Sequence, residues 1–478
     1  MLNGSVAERD DKGHRRRAVE IGSSDMEEKQ APKRMKLADD NGLDLHTPRN
    51  VMLNNEPDWS LLPYTVLKCI YSLLPRRHQC NMSLACRNWF EHFKASSISR
   101  TLILNFNGVD DSMAMRFFKG IFPRGLLYLN IDCRESDGRP RIDEWDSLEY
   151  LLMMMKRMLT LRVEKLVCLR LANMSRMIKD YTEKGKRKDL VMALRGFISN
   201  QRQLRVLNLS CAGLKLQHGS EVIAKAGRNC GSKIKKLIID DLFSMDNEDE
   251  DFTDQLSTVL LEPLRYYTGL TSLACSYQNL SPEILNVLAT SGVLKLLRVY
   301  VVKVMDPGHM TTGDWENLQA SCPQLEAHFI CTNAIDYQTF WSMMIPGIPL
   351  TIFRWTIEED FLDENWSEET LARGLFHLSR TLPGNIRHVS VSLQVAASHI
   401  ACLFNGILYD CANIETLSID VPEKTENAIE FKKLLMHNIV EYSSGRTNLR
   451  EFQYNGRTET IIKQTENGKE SSTSGVNV

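Results

Sequence analysis

A six-residue pattern of apolar positions, apolar-x-x-apolar-x-apolar, recurs along most of the chain. It has a strict form at Leu166–Leu171, Leu204–Leu209, Ile234–Ile239, Leu270–Cys275 and Leu294–Val299. It has a looser form at Leu325–Ile330, Leu350–Trp355, Ile386–Val391, Ile414–Ile419 and Leu449–Tyr454. Successive copies start roughly 24 to 38 residues apart, a spacing that indicates an array of repeats.

One repeat shows how the polar residues divide it into a strand, a turn and a helix. After the apolar pattern at Leu270–Cys275, Ser281 can cap a helix and Pro282 suits its first position. Gly292 then offers a left-handed stop just before the next apolar pattern. A strand and a covering helix thus fit within one repeat, and stacking buries what a single repeat cannot.

These features resemble leucine-rich repeats, although the repeat lengths are uneven. The resemblance implies an α/β fold, in which an irregular leucine-rich-repeat solenoid forms a curved parallel sheet with helices on the convex side.

Before the repeats, a short region has helical periodicity. Pro63 and Pro75 bracket apolar residues at helical spacing, which predicts one helix of about three turns. A second helix is predicted from about Asn81 to Cys86, and a third carries Trp89, Phe90 and Phe93. Three short helices this apolar would leave part of their surface uncovered, which suggests a docking face.

The order of residues in this region resembles the F-box. The matching positions are Leu62, Pro63, Val66, Leu67, Ile70, Leu73, Leu84, Cys86, Arg87 and Trp89. The resemblance implies that an N-terminal helical F-box, with all of these residues except Arg87 as adaptor-binding residues, binds the Skp-type adaptor of a cullin-RING ubiquitin ligase. An ordinary helical hairpin within a larger core is the alternative interpretation.

The whole chain, apart from its tails, resembles the F-box-only subgroup of proteins that carry degenerate leucine-rich repeats. The strongest stretch for this resemblance is Val206–Ile352, with Asp306–His309 and Ile348–Phe353.

The domain boundaries follow from these patterns. We predict a disordered tail at 1–55, the F-box at 56–100, the repeat domain at 101–457 and a second disordered tail at 458–478. The first tail holds basic clusters at Arg15–Arg17 and Lys33–Lys36. They resemble a nuclear localisation signal, but short basic clusters are equally common in solvated tails. The predicted location is therefore cytoplasmic, nuclear or both.

Composition excludes several classes of function. Because 58 Lys and Arg balance 60 Asp and Glu, nucleic-acid binding is not expected. The 12 cysteines are scattered without a neighbouring histidine cluster, so no metal site is expected and the thiols are predicted to be reduced. No apolar run is long enough to span a bilayer. No phosphate-loop, metalloprotease or nucleophile-elbow motif occurs, which predicts no catalytic residue and no cofactor.

The predicted function is therefore recognition rather than catalysis. An F-box joined to repeats implies a substrate-recognition subunit of an SCF-type ubiquitin ligase, with an unidentified protein as substrate. A scaffold that assembles a complex without ubiquitination is the alternative.

The repeats also predict where a substrate sits. Strand alternation sends the third and fifth residues of each pattern away from the core, to the concave face. Candidate substrate-binding residues there are Arg170, Asn208, Lys236, Arg298, Phe329, Arg354 and His388. This mixture of cations and an aromatic suits an acidic or phosphorylated segment, although an ordinary solvated sheet face would look similar.

Overall fold

The computed structural model describes a large part of the chain. The described residues are 58–74, 76–95, 100–105, 125–134, 144–175, 178, 184–244, 252–302, 310–332, 335, 337–357, 368–393, 407–421, 433, 436–437, 439, 448–455 and 457–460. The predicted N-terminal tail with its basic clusters, and the C-terminal tail from 461 onward, lie outside them. The predicted start of the second tail at 458 is wrong, because 458–460 belong to a strand.

Three short helices follow a single 3₁₀ turn at Trp59–Leu61. Their bounds are α1 (Tyr64–Leu73), α2 (Arg76–Ser83) and α3 (Arg87–Ala95). The prediction for α1 is confirmed, whereas α2 begins about five residues earlier than expected. Its sequence is mostly polar and, from His78 to Ser83, the part of α2 whose burial is described, only Cys80 and Ser83 are buried, so α2 offered no apolar stripe to detect.

A small aromatic core holds these helices together. Leu67, Tyr71 and Phe93 are buried, and the rings of Tyr71 and Phe93 lie 5.4 Å apart. The Tyr71 hydroxyl donates to the carbonyl oxygen of Trp89 at 3.1 Å. The Gln79 amide donates to the carbonyl oxygens of Tyr71 and Leu74, at 2.7 and 2.8 Å. Those carbonyls lie at the end of α1, where Tyr71 also accepts from the backbone N–H of Leu74 at 3.2 Å, so Gln79 adds to the bonds that fix the turn into α2.

A 13-stranded sheet follows, in which each strand pairs with the next one in the sequence. Its strands are β1 (Thr101–Asn105), β2 (Tyr128–Asp132), β3 (Cys168–Ala172), β4 (Val206–Asn208), β5 (Lys236–Ile239), β6 (Ser272–Ser276), β7 (Leu296–Val301), β8 (Glu326–Thr332), β9 (Leu350–Ile357), β10 (His388–Leu393), β11 (Thr416–Asp420), β12 (Glu451–Tyr454) and β13 (Arg457–Thr460). Every pair is parallel except β12 with β13. The predicted parallel sheet is therefore confirmed, and it is an open solenoid.

Helices cross between consecutive strands over much of the array. Their bounds are α4 (Glu144–Thr160), α5 (Lys184–Ser199), α6 (Leu216–Cys230), α7 (Phe252–Leu264), α8 (Pro282–Ser291), α9 (Thr312–Ser321), α10 (Tyr337–Met343) and α11 (Glu368–Thr381). The repeat with α8 matches its prediction in detail. Ser281 accepts a hydrogen bond from the backbone N–H of Ile284 at 3.3 Å, and Gly292 ends the helix with a φ of 64°. Local sequence signals therefore set the bounds of this helix.

Alternate residues of each strand point into one continuous hydrophobic core shared with the helices. In β7, Leu297, Val299 and Val301 are buried, while their neighbours are half-buried on the other side. We call that other side, opposite the helices, the open face. Aromatic rings fill the core around β8 and β9, where the rings of Phe340 and Trp355 stack 4.9 Å apart.

Three strands were missed by the sequence prediction. Residues 126–131 do follow the apolar pattern, with Leu126, Leu129 and Ile131 buried, so β2 was detectable. The hairpin between β12 and β13 was also detectable, because the sequence Asn-Gly at 455–456 is typical of two-residue hairpin turns, and Asn455 has a φ of 48°. Strand β1 has only a partial match to the pattern.

The end of helix α6 packs closely against the turn that follows helix α7. One added methyl group there should therefore destabilise the fold. A Cβ atom added to Gly231 would lie 2.2 Å from the carbonyl oxygen of Tyr266, whereas one added to Gly384 meets nothing within 4 Å. Gly231→Ala should therefore lower the free energy of unfolding by about 2 kcal/mol. Gly384→Ala should leave it nearly unchanged, and equal effects in chemical denaturation would contradict this packing.

Candidate functional site

The three N-terminal helices expose apolar side chains that a folded monomer has no need to present. Leu73 is 83% exposed, Leu84 65% and Trp59 62%, and Leu61 and Val66 are exposed as well. Exposed apolar side chains gathered on one small unit indicate a surface that binds another protein. We call this set of side chains the docking face.

The predicted adaptor-binding residues divide by burial. Pro63, Val66, Leu73 and Leu84 are exposed, and Leu62, Ile70, Cys86 and Trp89 are partly buried. Leu67 is fully buried, so its prediction as a direct contact is wrong: its side chain packs in the helical core instead. An apolar side chain at helical spacing can face either way, and sequence alone does not separate the two.

Two exposed residues, Trp59 and Leu61, were missed by sequence reasoning. They lie on the 3₁₀ turn before α1, which is held by side chains of α3. The Trp89 indole donates to the carbonyl oxygen of Trp59 at 2.9 Å, and the Asn88 amide donates to that of Ser60 at 2.7 Å. Trp89 therefore holds the 3₁₀ turn of the docking face in position. The sequence signal that could have identified these two residues is the presence of apolar side chains directly before the start of α1.

The open face of the sheet carries most of the predicted substrate-binding residues. Arg170, Lys236, Arg298, Arg354 and His388 lie on it and are partly or fully exposed. Arg170 belongs to β3 and Lys236 to β5, four and two strands before β7, whereas the other three belong to β7, β9 and β10.

Two of the predicted open-face residues are corrected by the structure. Phe329 is fully buried, and His328 takes its place on the open face. The reason is a shift of one residue: Ala327, rather than His328, pairs with Leu297 of β7. Asn208 does follow strand alternation but is only 7% exposed. Its side-chain oxygen accepts from the backbone N–H of Ser210 at 2.8 Å, so it serves the turn.

Four basic side chains converge on neighbouring strands, and we call them the cationic cluster: Arg298, His328, Arg354 and His388. Arg298 lies directly opposite His328 in the β7–β8 register. Burial, and then the charges of Arg298 and Arg354 with His388, lower the pKa of His328 to about 4. Neither arginine forms an ion pair with any residue in the described part of the chain. The cluster therefore has positive charge available for an anion.

A separate group of polar side chains, arranged around the carboxylate of Asp132, lies at β2 and β3. Asp132 accepts from Arg134 at 2.9 Å and from the Asn173 amide at 2.7 Å, and its carboxylate lies 3.5 Å from the Arg170 guanidinium. Burial alone would raise the pKa of Asp132, but the hydrogen bonds from Arg134 and Asn173 lower it to about 2. This carboxylate stays ionised at neutral pH and partly neutralises Arg170.

Asp240, directly after β5, lies in an environment that disfavours the ionised form of its carboxyl group. Burial raises the pKa of its carboxyl to about 6, and the nearby Asp241 adds to the increase, whereas Arg170 opposes it. One of its oxygens, Oδ1, is buried without a hydrogen-bond partner in the described part of the chain. Sequence reasoning missed Asp240 because it lies just beyond the apolar pattern.

Comparison with known proteins places these surfaces in context. Residues 59–101 match the F-box domain. The chain is similar in structure to the leucine-rich repeat-containing protein LegL7 from Legionella pneumophila, with 13% identity and a TM-score of 0.33 over 66% of this chain and 93% of that one. No curated protein matches the sequence.

The chain thus carries an F-box followed by leucine-rich-repeat-like repeats, a combination typical of non-catalytic adaptors in protein–protein interaction. Among the described residues, no group of three or more His, Cys, Asp or Glu side chains could hold a metal ion. Nor does any helix in the described ranges have the length and apolar character to cross a membrane.

The environment of His328 predicts a measurable change in its titration. Arg298→Gln removes a neighbouring positive charge, so the pKa of His328 should rise above about 4, while burial, the largest cause of its lowering, still holds it below the ordinary value. Arg380→Gln, on α11 on the opposite side of the sheet, should leave it unchanged. NMR titration of ¹⁵N-histidine-labelled protein measures both, and an unshifted His328 in Arg298→Gln would rule out the charge coupling.

Asp240 predicts a dependence of stability on pH. A carboxyl that ionises near pH 4 when unfolded and near 6 when folded costs stability as pH rises through that interval, with the full cost above it. Asp240→Asn should therefore raise the free energy of unfolding at pH 7.5, and most of the gain should vanish at pH 4.5. Denaturant titrations at the two pH values measure it. An equal gain at both would point to packing instead of charge.

Proposed function

We propose that this chain is the substrate-recognition subunit of an SCF-type (cullin-RING) E3 ubiquitin ligase. The observation that carries the proposal is the F-box at residues 59–101, whose helices expose apolar side chains. Its F-box binds a Skp-type adaptor, and through it a cullin, while the repeats bind a protein substrate for ubiquitination.

In this proposal the F-box binds the adaptor through hydrophobic contacts. Side chains such as Leu73 and Leu84 lose their exposed apolar surface when the adaptor covers them. A few such residues near the centre of an interface supply most of the binding energy, about 2 kcal/mol or more each. The hydrogen bonds from Trp89 and Asn88 to the 3₁₀ turn hold the docking face in shape before binding, which reduces the entropy lost on association.

The repeats bind the substrate, in this proposal, through the open face of the sheet. Its side chains project from a rigid parallel ladder, so their spacing is fixed before a partner arrives. The cationic cluster is the strongest feature there, because two guanidinium groups without ion-pair partners among the described residues can bind carboxylate or phosphate oxygens. An acidic or phosphorylated segment is the substrate chemistry that fits.

The mechanism is proximity. The chain supplies no reacting group in this proposal; it holds substrate lysines close to the ubiquitin-charged carrier enzyme that the cullin brings. Adaptor binding without ubiquitination of any partner would instead support a scaffold.

Adaptor binding should depend on the exposed apolar residues. Leu73→Asp combined with Leu84→Asp places two charges on the docking face, so purified Skp-type adaptor should no longer be retained in a pull-down. The control is Met192→Asp, because Met192 on α5 is 55% exposed and lies outside the F-box. Leu62→Ala with Pro63→Ala should also weaken retention. Full retention by the Leu73 and Leu84 variant would contradict the assignment.

Substrate capture should depend on the cationic cluster. Arg298→Glu combined with Arg354→Glu reverses both guanidinium charges, so proximity labelling should lose the F-box-dependent partners while adaptor binding remains. The matched control, Arg373→Glu with Arg380→Glu, makes the same charge change on α11 and should keep those partners. If the open-face variant retains the same partners, recognition lies elsewhere on the repeats.

A further inference from the structure

A groove of about 710 Å³ runs along the starts of five consecutive strands, β8 to β12. Its lining residues come from α9, from the turns that lead into these strands and from the first residues of the strands. None of the described lining residues belongs to the cationic cluster or to the docking face. We call it the edge groove, and it is a surface that the proposed function does not use.

Amide side chains recur at the same place along the edge groove. Asn385, Asn413 and Asn448 each lie three residues before the first residue of β10, β11 and β12, and those first residues pair with one another from strand to strand. Gln324 lies in the corresponding turn before β8, and Pro349 directly precedes β9. The groove therefore presents a row of amides that runs across the strands.

These amides differ in how far the chain itself engages them. The Asn413 amide donates to the carbonyl oxygen of Gly384 at 2.6 Å, and its side-chain oxygen accepts from the Asn448 amide at 3.4 Å. Gln324 and Asn385 are exposed, and neither side chain has a hydrogen-bond partner within the described residues. Asn448 keeps its oxygen and a second N–H. The least engaged amides thus precede every second strand, β8, β10 and β12.

The spacing of these three amides matches one backbone conformation of a bound segment. Neighbouring strands lie about 4.8 Å apart, so every second strand gives a step of about 9.6 Å. A polyproline II helix repeats every three residues, or about 9.3 Å, and its carbonyl groups form no internal hydrogen bonds. A β-strand repeats after about 6.7 Å, and an α-helix rises about 5.4 Å per turn with its carbonyls already bonded. Of the three, polyproline II alone presents a free carbonyl group to each amide.

The chemistry of the lining favours a proline-rich sequence. Amide N–H groups donate, and a proline residue supplies a carbonyl acceptor but no backbone N–H of its own. Two carboxylates, Glu326 and Glu415, outnumber the single guanidinium of Arg387, which disfavours a nucleic acid or another polyanion. The exposed ring of Pro323 offers an apolar contact for a proline ring. An uncharged main chain rich in carbonyl groups is the ligand that remains.

We propose that the edge groove binds a proline-rich segment of a partner protein in the polyproline II conformation. The amides of Gln324, Asn385 and Asn448 each donate to a carbonyl oxygen, on residues three apart, so about seven residues span the site. Because this conformation is largely formed before binding, little conformational entropy is lost on association. The inference goes beyond the proposed function, since it adds a binding site separate from the cationic cluster.

Fluorescence anisotropy with labelled decaproline tests the proposal. Full-length protein should bind decaproline saturably, and about tenfold or more tightly than a Gly-Ser peptide of equal length, which has as many carbonyl groups but must lose more entropy. No saturable binding of decaproline, or equal binding of the two peptides, overturns the proposal. Binding of a neutral oligosaccharide such as chitohexaose in place of decaproline overturns it as well, and would assign the groove to a carbohydrate.

Variants test the role of the amides. Gln324→Ala with Asn385→Ala removes two donors, so decaproline binding should weaken about tenfold or more. The matched control is Asn200→Ala with Gln203→Ala, which removes an exposed Asn and an exposed Gln from the turn before β4 and should leave binding unchanged. Equal binding by the groove variant and the control overturns the proposal.

A single isosteric change tests the direction of the hydrogen bond. Asn385→Asp keeps the shape of the side chain but replaces its N–H donor with an acceptor, and decaproline offers carbonyl acceptors in return. Its affinity for decaproline should therefore fall, while thermal unfolding stays as in the original chain because Asn385 is exposed. Unchanged affinity in this variant contradicts the assignment of Asn385 as a donor.

Discussion

The continuous backbone ladder from β1 to β12 is the constraint on which the rest of the structure depends. Each strand pairs in parallel with the next one in the sequence, so every connection must cross back over the same side of the sheet. Strand alternation then sends one set of side chains into the core and the other set to the open face. The core set must be apolar, but the open-face set is free to carry charge, which is how a repeat fold acquires a recognition surface.

This division separates the residues that set stability from those proposed to carry the function. Leu297 and Val299 are buried in β7, while Arg298 between them points to the open face. A change of charge at Arg298 therefore leaves the core packing intact. The same separation holds in the F-box, where Leu67 and Tyr71 form the core and Leu73 and Leu84 remain exposed. Asp240 differs from both sets of residues, because its burial disfavours the ionised carboxylate and so lowers the stability of the fold at neutral pH.

Sequence predicted the fold better than the site. The apolar pattern located β3 to β12, and Ser281, Pro282 and Gly292 set the limits of α8. Helix α2 escaped because its sequence is polar and its few buried residues form no stripe. Phe329 was assigned to the open face because the pattern was read one residue out of register, an error that reverses every side chain in a strand. Only the pairing of Ala327 with Leu297 reveals that shift.

The grouping of charges also required the structure, because it depends on strand order and not on spacing along the chain. Arg298 and His328 are direct neighbours although a whole repeat separates them in sequence. The central claim is that one chain links a cullin-RING ligase to a protein held on its open face. Sequential purification, first through the cullin and then through this chain, followed by quantification of ubiquitin-modified peptides, tests it most directly. The account predicts ubiquitinated partners that disappear when the open-face arginines are reversed; co-purification of this chain with neither cullin nor ubiquitinated partners would contradict it.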